Sequence, residues 1–347
     1  MLAARVAGLA GLVPADGVGA VMVTLTVARG TTGGHLTAYA CGTRPGVATM
    51  TFTPGHTTVV GATVAIDPLS GRICVITDGA ALVRIDLRGW VPERGGFHPV
   101  RATRLFDTRG TEGERPVVPA PLAAGRVLRV HVVGIDHRVP ADGVVAVSLA
   151  VTVVRPIDGG LVTVWACGAR PRTVALAFTR GHVSTTLTIV PVDPATGDIC
   201  LVTTRTAHVM ADLTGWLEPG HGYAAVATRM LDTRPGMPAR STATGPIDPD
   251  HSVAIRTFRL LPQGSTAAFV TVLVLPSAGS GTLTFAACDA AGVATGTPAS
   301  VSFEASQPAS TTVLVQAGVS APRWCITSTR TAHVVVDVHG VVVPPPT

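Results

Sequence analysis

The chain of 347 residues contains no lysine and no asparagine, so all 26 of its basic residues are arginines. Lysine and asparagine both use A/T-rich codons, and their joint absence indicates a GC-rich bacterial genome. Aromatic residues make up only 4% of the chain, and the net charge is +5. Because the arginines are scattered, the sequence offers neither a basic stripe nor a stacking platform for nucleic acid. We therefore predict no nucleic-acid partner.

Long apolar runs are also missing, because Gly, Thr, Pro and charged residues interrupt each of them. This pattern predicts no transmembrane segment. Catalytic signatures are equally scarce: there is no HExxH, no nucleophile elbow and no Walker loop. We therefore predict that the protein is not an enzyme and has no catalytic residues, no metal site and no cofactor. Hydrophobic residues, at 47% of the chain, are plentiful enough to form real cores.

Three copies of one unit of about 125 residues fill the chain. The segment "VPADGVGAVMVTLTV" at 13–27 matches "VPADGVVAVSLAVTV" at 139–153, and "TRTAHVMADLTGW" at 204–216 matches "TRTAHVVVDVHGV" at 329–341. A period of this length is a normal size for an independent domain and far exceeds that of a solenoid. We predict three tandem domains, which we call the first repeat (1–96), the second repeat (97–220) and the third repeat (221–347).

The first repeat is expected to be incomplete at its amino terminus. The motifs "RLFDTR" (104–109) and "RMLDTR" (229–234) open the second and third repeats, and their equivalent in the first would fall before residue 1. We therefore expect one or more opening strands to be missing, through truncation or a misassigned start. Gly8 and Val13 align with Gly134 and Val139, so the first residues are expected to form a strand and a turn, and no secretion signal is visible.

The periodicity within a repeat is that of β-strands. In "VVAVSLAVTVV", Val147, Leu149 and Val151 are expected to face one way, and Ser148 and Ala150 the other. Val and Thr dominate, and Gly or Pro punctuates the chain every ten residues or so, as in the hairpin-like "DPATG" at 193–197. About eight strands fit in each complete repeat. We predict an all-β fold of β-sandwich domains, with a closed barrel or a trefoil as alternatives.

The six cysteines form a regular set, with two in each repeat separated by 33, 33 and 37 residues. An even number at equivalent positions favours one disulfide in each repeat. Zinc is a poorer alternative because no Cys-x-x-Cys or His cluster accompanies them, and buried free thiols are a second alternative. Disulfides indicate an oxidising compartment outside the cytoplasm. The predicted pairs are Cys41 with Cys74, Cys167 with Cys200, and Cys288 with Cys325.

Several motifs occur together in the order of a known family. The sequence resembles a domain found, often in tandem, in secreted and cell-surface proteins of actinobacteria. The matching segments are "RLFDTR", "RMLDTR", "VPADGVVAV" and the repeat endings "IDLRGW", "ADLTGW" and "VDVHGV". The resemblance implies location and modularity more than activity, and it assigns no ligand role. The usual Asn of the family is replaced by Thr24, Ala150 and Thr271, and its closing Tyr is replaced by Trp90, Trp216 and Val341.

The repeated Asp-Thr-Arg motif has two interpretations. Its groups either grip a sugar or an anionic polymer at the surface, or form internal ion pairs, which we favour because buried charges persist mainly when paired. The motif residues are Asp107, Thr108, Arg109, Asp232, Thr233 and Arg234. Each repeat also carries an Asp in its last apolar strand: Asp86, Asp212 and Asp337. We predict that Arg109 meets Asp212 and that Arg234 meets Asp337, which leaves Asp86 without its arginine.

Tryptophan and histidine positions allow a ligand role or a structural one. Trp90, Trp165 and Trp216 are candidate ligand-binding or interdomain aromatics, and packing, for example of Trp165 near the disulfide of Cys167, is the favoured interpretation. Histidines recur at equivalent positions, which indicates a shared structural role. These pairs are His56 with His182 and His208 with His333.

Together these patterns predict a non-catalytic protein of the extracellular space or cell envelope, serving adhesion, display or targeting to a glycan or cell-wall surface. The candidate partners are cell-wall or surface polysaccharide and further copies of the protein, since long edge strands with few charges favour association. One alternative is a structural subunit of a surface layer or fibre. Another is a set of accessory repeats from a secreted hydrolase whose catalytic domain is absent.

Overall fold

The computed structural model describes residues 1–28, 30–220, 222–249, 251–257, 260–295, 298–317 and 323–343. These residues form 23 β-strands and no helix, arranged in six sheets, so the prediction of an all-β protein is confirmed. The abundance of Val and Thr suits pleated, half-buried backbone. No helix among the described residues is long and apolar enough to cross a membrane.

The first repeat contains seven strands in two antiparallel sheets, of order β1-β6-β3-β4 and β5-β2-β7. Its amino-terminal strand β1 pairs with β6, and a turn with Gly8 at a φ of 76° follows, as expected. The strands are β1 (Leu2–Arg5), β2 (Val18–Ala28), β3 (Gly34–Ala40), β4 (Met50–Phe52), β5 (Thr58–Ala65), β6 (Arg72–Thr77) and β7 (Leu82–Pro92).

The second repeat contains eight strands in sheets of order β13-β10-β15-β8 and β12-β11-β14-β9. The strands are β8 (Phe97–Asp107), β9 (Val127–His131), β10 (Ala146–Val154), β11 (Gly160–Ala166), β12 (Leu176–Phe178), β13 (Ser184–Pro191), β14 (Asp198–Thr203) and β15 (His208–Leu217). Between β13 and β14, Gly197 has a φ of 71° and donates its N–H to Asp193 O at 2.8 Å. A tight turn is therefore present at 193–197, but the expected hairpin is not, because β13 pairs with β10 whereas β14 pairs with β11 and β9 in the other sheet.

The third repeat also contains eight strands, in sheets of order β16-β23-β18-β21 and β17-β22-β19-β20. Each strand pairs as its equivalent in the second repeat does. The strands are β16 (Tyr223–Asp232), β17 (Ser252–Arg256), β18 (Ala267–Val274), β19 (Gly281–Cys288), β20 (Ala299–Phe303), β21 (Ala309–Gln316), β22 (Arg323–Ser328) and β23 (Val334–Val342).

The two sheets of each repeat enclose a separate apolar core. In β10, Val147, Leu149 and Val151 point into the core of the second repeat, which confirms the predicted alternation. The opposite face of β10, which includes Ser148 and Ala150, is buried as well. It is buried because the outer face of the sheet that contains β10 packs against the equivalent sheets of the other repeats, which contain β2 and β18.

A shared apolar cluster joins the three repeats. It includes Met22 of the first repeat, Ile189 of the second and Phe269 of the third. The equivalent strands β5, β13 and β21 contact one another. The approach is close, because a Cβ on Gly61 would lie 2.3 Å from Thr312 O. The division into three domains at residues 96 and 220 stays a prediction, since the repeats have separate cores but share this cluster.

Candidate functional site

The first Asp-Thr-Arg motif lies at the carboxyl end of β8. The Asp107 carboxylate accepts the backbone N–H of Arg109 at 2.9 Å. It also accepts Nε of the Arg109 guanidinium at 3.0 Å and Nη2 at 2.6 Å. A short acidic side chain that bonds to the backbone two residues further on forms an Asx-type turn, and the planar guanidinium matches both carboxylate oxygens. Asp107 and Arg109 therefore bind chiefly each other.

A different arginine, Arg104, connects the motif to the last strand of the repeat. Its Nη1 donates to Asp107 Oδ2 at 2.8 Å, and its Nε donates to Asp212 Oδ1 at 2.5 Å. The prediction that Arg109 meets Asp212 is therefore wrong in its choice of arginine. The reason is the strand register: Arg104 lies directly opposite Asp212 in the β8–β15 ladder, whereas Arg109 follows the end of β8.

The third repeat has the same arrangement. Arg234 Nε and Nη2 lie 2.9 Å and 2.7 Å from the two oxygens of Asp232. Arg229 Nη1 donates to Asp232 Oδ2 at 3.0 Å, and Arg229 Nε donates to Asp337 Oδ1 at 2.9 Å. The prediction that Arg234 meets Asp337 is wrong for the same reason, because Arg229 faces Asp337 in the ladder of β16 and β23. Arg104 and Arg229 do join the first strand of their repeat to its last.

The threonine of each motif completes the strand ends. Thr108 donates its backbone N–H to Val209 O at 3.0 Å, and its Oγ1 accepts the Val209 N–H at 2.9 Å. Its Oγ1 also lies 3.2 Å from His208 Nδ1. Thr233 makes the same contacts with Val334 and His333, with Oγ1 3.0 Å from His333 Nδ1. The two histidines therefore make equivalent contacts, in keeping with the structural role predicted for them.

The two carboxyl groups of each cluster have pKa values shifted in opposite directions. Burial raises the pKa of Asp107, but the hydrogen bonds and charges of Arg109, together with the charge of Arg104, outweigh burial, so this pKa lies below its usual range. Asp232 behaves in the same way. For Asp212 and Asp337, burial is the dominant effect, and it keeps the pKa of each above its usual range despite the arginine beside it. Each cluster thus contains one strongly acidic and one weakly acidic carboxyl group.

Asp86 of the first repeat pairs with arginines of its own strand. Arg84 Nε donates to Asp86 Oδ1 at 2.8 Å, and Arg88 Nη2 lies 3.9 Å from Asp86 Oδ2. Neither arginine is equivalent to Arg104 or Arg229. The first repeat therefore compensates this charge along β7 instead of across two strands.

Arginines also join the repeats to one another. At each interface, an arginine of one repeat donates Nη1 or Nη2 to a backbone carbonyl in the loop that follows the first cysteine of another repeat. Because three equivalent loops are used, the contacts connect the first repeat to the second, the second to the third and the third to the first. They are Arg101 to Arg44 O at 2.6 Å, Arg229 to Arg172 O at 2.8 Å, and Arg88 to Pro298 O at 2.7 Å.

Asp212 and Asp337, the two carboxyl groups with raised pKa values, differ in their surroundings. Asp337 Oδ2 accepts the backbone N–H of Val174 from the second repeat at 2.8 Å. At the interface of the first and second repeats, Ala48 is equivalent to Val174, and there Ala48 and Asp212 line a cavity of about 280 Å³. The described residues contain no group of three or more His, Cys, Asp or Glu side chains arranged to hold a metal ion.

The three predicted disulfides are confirmed: Cys41 with Cys74, Cys167 with Cys200, and Cys288 with Cys325. Trp165 packs in a buried cluster with the disulfide of the second repeat and is 6% exposed, so it is a core residue. Trp216 is partly buried and stacks on His98 of β8 at a centroid distance of 4.0 Å. Trp90, at the equivalent position of the first repeat, is 37% exposed.

Sequence reasoning missed Arg104 and Arg229, although both belong to repeated "ATRxxDTR" segments. The repetition was the available signal. Sequence reasoning also missed a bulge in the last strand of each repeat. The bulged residues are equivalent and lie at shifts in the strand register: Arg88, Thr214 and His339. His339 is buried, and its Nε2 lies 2.8 Å from Thr271 Oγ1.

No family model matches the sequence, and a search of curated proteins found no match. Solved structures are similar only at low TM-scores. "Crystal Structure of the STIV MCP" is 6% identical, with 65% of this chain and 94% of that chain covered and a TM-score of 0.30. The tandem CBM22-1–CBM22-2 domain of Paenibacillus barcinonensis Xyn10C is 12% identical, with 64% and 85% covered and a TM-score of 0.20. "The Triple Jelly Roll Fold and Turret Assembly in an Archaeal Virus" is 12% identical, with 95% and 81% covered and a TM-score of 0.20. Similarities this low identify neither a family nor a function.

Proposed function

We propose that the protein is a non-catalytic component of the extracellular space or cell envelope that serves adhesion, display or targeting to a surface. The observation that carries this proposal is the set of contacts that the Asp-Thr-Arg motifs make within the protein. In the second and third repeats, the carboxylate, the hydroxyl and the guanidinium of the motif bind groups of the same repeat. The most strongly repeated polar chemistry of the chain therefore stabilises strand ends.

Burial supports this structural interpretation. Asp107 and Thr108 are each 3% exposed, Asp232 is 1% exposed and Thr233 is fully buried. A substrate that reached these groups would have to break ion pairs that keep buried charges compensated, which is costly. Arg109 and Arg234 are partly exposed, but both oxygens of the paired aspartate hold each guanidinium.

The cysteines support the proposed compartment. Three disulfides account for all six cysteines, and such bonds persist in oxidising environments outside the cytoplasm. The resemblance of the repeats to domains of secreted and cell-surface proteins of actinobacteria supports the same compartment. We therefore place the proposed function outside the plasma membrane.

A surface polysaccharide is the partner that we propose, and the aromatic side chains limit where it binds. Sugars stack on exposed rings, and neither Trp165, which is buried, nor Trp216, which stacks on His98, offers a free face comparable to that of Trp90. We therefore assign the aromatic contact to Trp90. One aromatic contact per chain binds weakly, and retention at a surface then depends on many copies acting together.

A sedimentation assay tests this proposal. Purified protein is mixed with insoluble peptidoglycan and with cell-wall polysaccharide, and the bound fraction is measured for the wild type and for Trp90→Ala. The control is Leu69→Ala, which removes an apolar side chain that is 96% exposed elsewhere on the first repeat. We expect retention of the wild type and the control and reduced retention of Trp90→Ala. Absence of retention on every fraction contradicts targeting, and release of reducing sugar by the wild type contradicts the non-catalytic assignment.

A further inference from the structure

The cavity between the first and second repeats is large enough for a small ligand. It has a volume of about 280 Å³ and lies between β5 and the loop after Cys41 on one side and β8, β10 and β15 on the other. An apolar protein cavity of about 150 Å³ holds a benzene molecule, so this one has room for a larger body. The apolar residues of its lining include Pro45, Ala48, Ala65, Ala150 and Leu187.

Two buried polar groups of the lining have unused hydrogen-bonding capacity. Asp212 is 3% exposed, and its Oδ1 accepts Arg104 Nε at 2.5 Å, whereas no described residue donates a hydrogen bond to its Oδ2. Thr63 is 9% exposed, and its Oγ1 has no hydrogen-bond partner in the described part of the chain. Buried polar groups are nearly always hydrogen-bonded, so both groups point to a partner that the chain itself does not supply.

The equivalent interface of the second and third repeats shows what such a partner looks like. Three small residues of the cavity lining correspond there to larger ones, in the pairs Ala48 and Val174, Ala150 and Thr271, and Thr214 and His339. Asp337 Oδ2 accepts the backbone N–H of Val174 at 2.8 Å, and the buried imidazole of His339 bonds to Thr271. The chain therefore places a flat ring in this region and supplies an N–H to the carboxylate that is equivalent to Asp212.

The charges around the cavity favour a neutral ligand. The guanidinium of Arg104 already compensates Asp212 and also contacts Asp107. A charged ligand would carry a further charge into a largely apolar, buried space where nothing compensates it, which is costly. A neutral N–H or O–H donor satisfies Asp212 Oδ2 without adding a charge.

We propose that this cavity binds a small neutral molecule with a flat, largely apolar body and an N–H or O–H group that donates to Asp212 Oδ2. The body occupies the space beside Ala48, Ala150 and Thr214, as side chains of the chain itself do at the other interface. This inference does not depend on polysaccharide binding, since Trp90 is not part of the cavity lining.

Indole is the probe, because it is a flat, neutral, mostly apolar molecule with a single N–H. Its binding to the full chain is measured by titration calorimetry, and the rise in melting temperature at high indole concentration is a second readout. We expect one indole per chain with a dissociation constant on the order of 0.1–1 mM. Benzofuran has the same shape but an oxygen in place of the N–H, and we expect it to bind about tenfold more weakly because it leaves Asp212 Oδ2 without a donor.

Two variants of the protein locate the site. The double variant Ala48→Val/Ala150→Thr introduces the residues of the other interface, reduces the cavity and is expected to weaken indole binding at least about tenfold. Asp212→Asn replaces an acceptor by an amide that can donate, so we expect it to remove the preference for indole over benzofuran. The matched control is Ala123→Val/Ala195→Thr, which makes the same changes at two exposed alanines and is expected to bind indole as the wild type does. Circular dichroism and the melting temperature verify that each variant is folded.

Three results overturn the proposal. The first is no binding of indole to the wild type up to its solubility limit. The second is equal binding of indole and benzofuran, because the carboxylate then does not recognise a donor. The third is indole binding that the double variant leaves unchanged, because indole then binds outside this cavity. If Asp212→Asn does not fold, the comparison of the two probes and the double variant still decide the outcome. Retention on polysaccharide fractions is measured separately and changes none of these results.

Discussion

Arg229 and Asp337 face each other across β16 and β23, with Nε 2.9 Å from Oδ1 and Nη2 3.0 Å from Oδ2. The same guanidinium contacts Asp232 of the motif and the backbone carbonyl of Arg172 in the second repeat. One side chain therefore connects the first strand, the last strand, the motif turn and the adjacent repeat. The burial of Asp337, which raises its pKa, makes this carboxylate dependent on its arginine.

We expect Arg229→Gln to destabilise the protein by about 3–5 kcal/mol, because removing one partner of a buried ion pair leaves the other charge uncompensated. Arg234→Gln is the matched comparison, since its side chain is 35% exposed and water can replace part of its contact with Asp232. We expect this variant to cost at most about 1–2 kcal/mol. Urea unfolding at pH 7 measures both free energies. Equal losses would show that the bridging position of Arg229 has no special importance.

We expect Thr233→Val to cost about 1–3 kcal/mol, because it removes the acceptor of the buried Val334 N–H without changing the side-chain shape. Thr233→Ser retains the hydroxyl and is expected to lose only the contribution of one methyl group, about 1 kcal/mol. Thermal unfolding of the two variants measures the difference. A serine variant as unstable as the valine variant would contradict the assigned role of the hydroxyl.

The pH dependence of stability is expected to reflect His339. Burial lowers the pKa of His339 to about 4. The unfolded chain therefore takes up a proton near pH 6.5, whereas the folded chain does so only near pH 4. The contribution of His339 to stability is complete above pH 6.5, decreases as the pH falls and levels off below pH 4, with a total loss of about 3 kcal/mol.

The matched variant for this prediction is His339→Gln, which does not titrate and can still bond to Thr271. Its free energy of unfolding is expected to decrease less than that of the wild type between pH 7 and pH 4. Urea unfolding at four pH values in this window measures the difference. Parallel pH profiles for the two proteins would contradict the assignment to His339.

The sequence predicted the features that repeat locally, namely the strand class and the cysteine pairs. It did not predict which arginine faces Asp212, because the β8–β15 ladder contains a register shift between Ala211 and Asp212. This bulge places Arg104 opposite the carboxylate, and residue counting alone does not locate a bulge. It also could not assign partners to the second buried face of β10, since alternation identifies a face but not the repeat that covers it.

Strands β5 and β21 approach each other closely at Gly61. Gly61 has ordinary backbone geometry for any residue, yet a Cβ there would lie 2.3 Å from Thr312 O, which belongs to backbone and cannot rotate away. Gly61→Ala must therefore separate the first repeat from the third, and we expect overpacking to cost about 1–3 kcal/mol. Gly89→Ala is the control, because its nearest contact is a flexible leucine methyl at 3.5 Å.

Calorimetric unfolding should show a lower melting temperature for Gly61→Ala and little change for Gly89→Ala. Limited proteolysis should in addition release the first repeat sooner from Gly61→Ala, since the core of that repeat is untouched while its contact with the third repeat is weakened. Identical melting and proteolysis of the two variants would show that the close approach at Gly61 does not hold the repeats together.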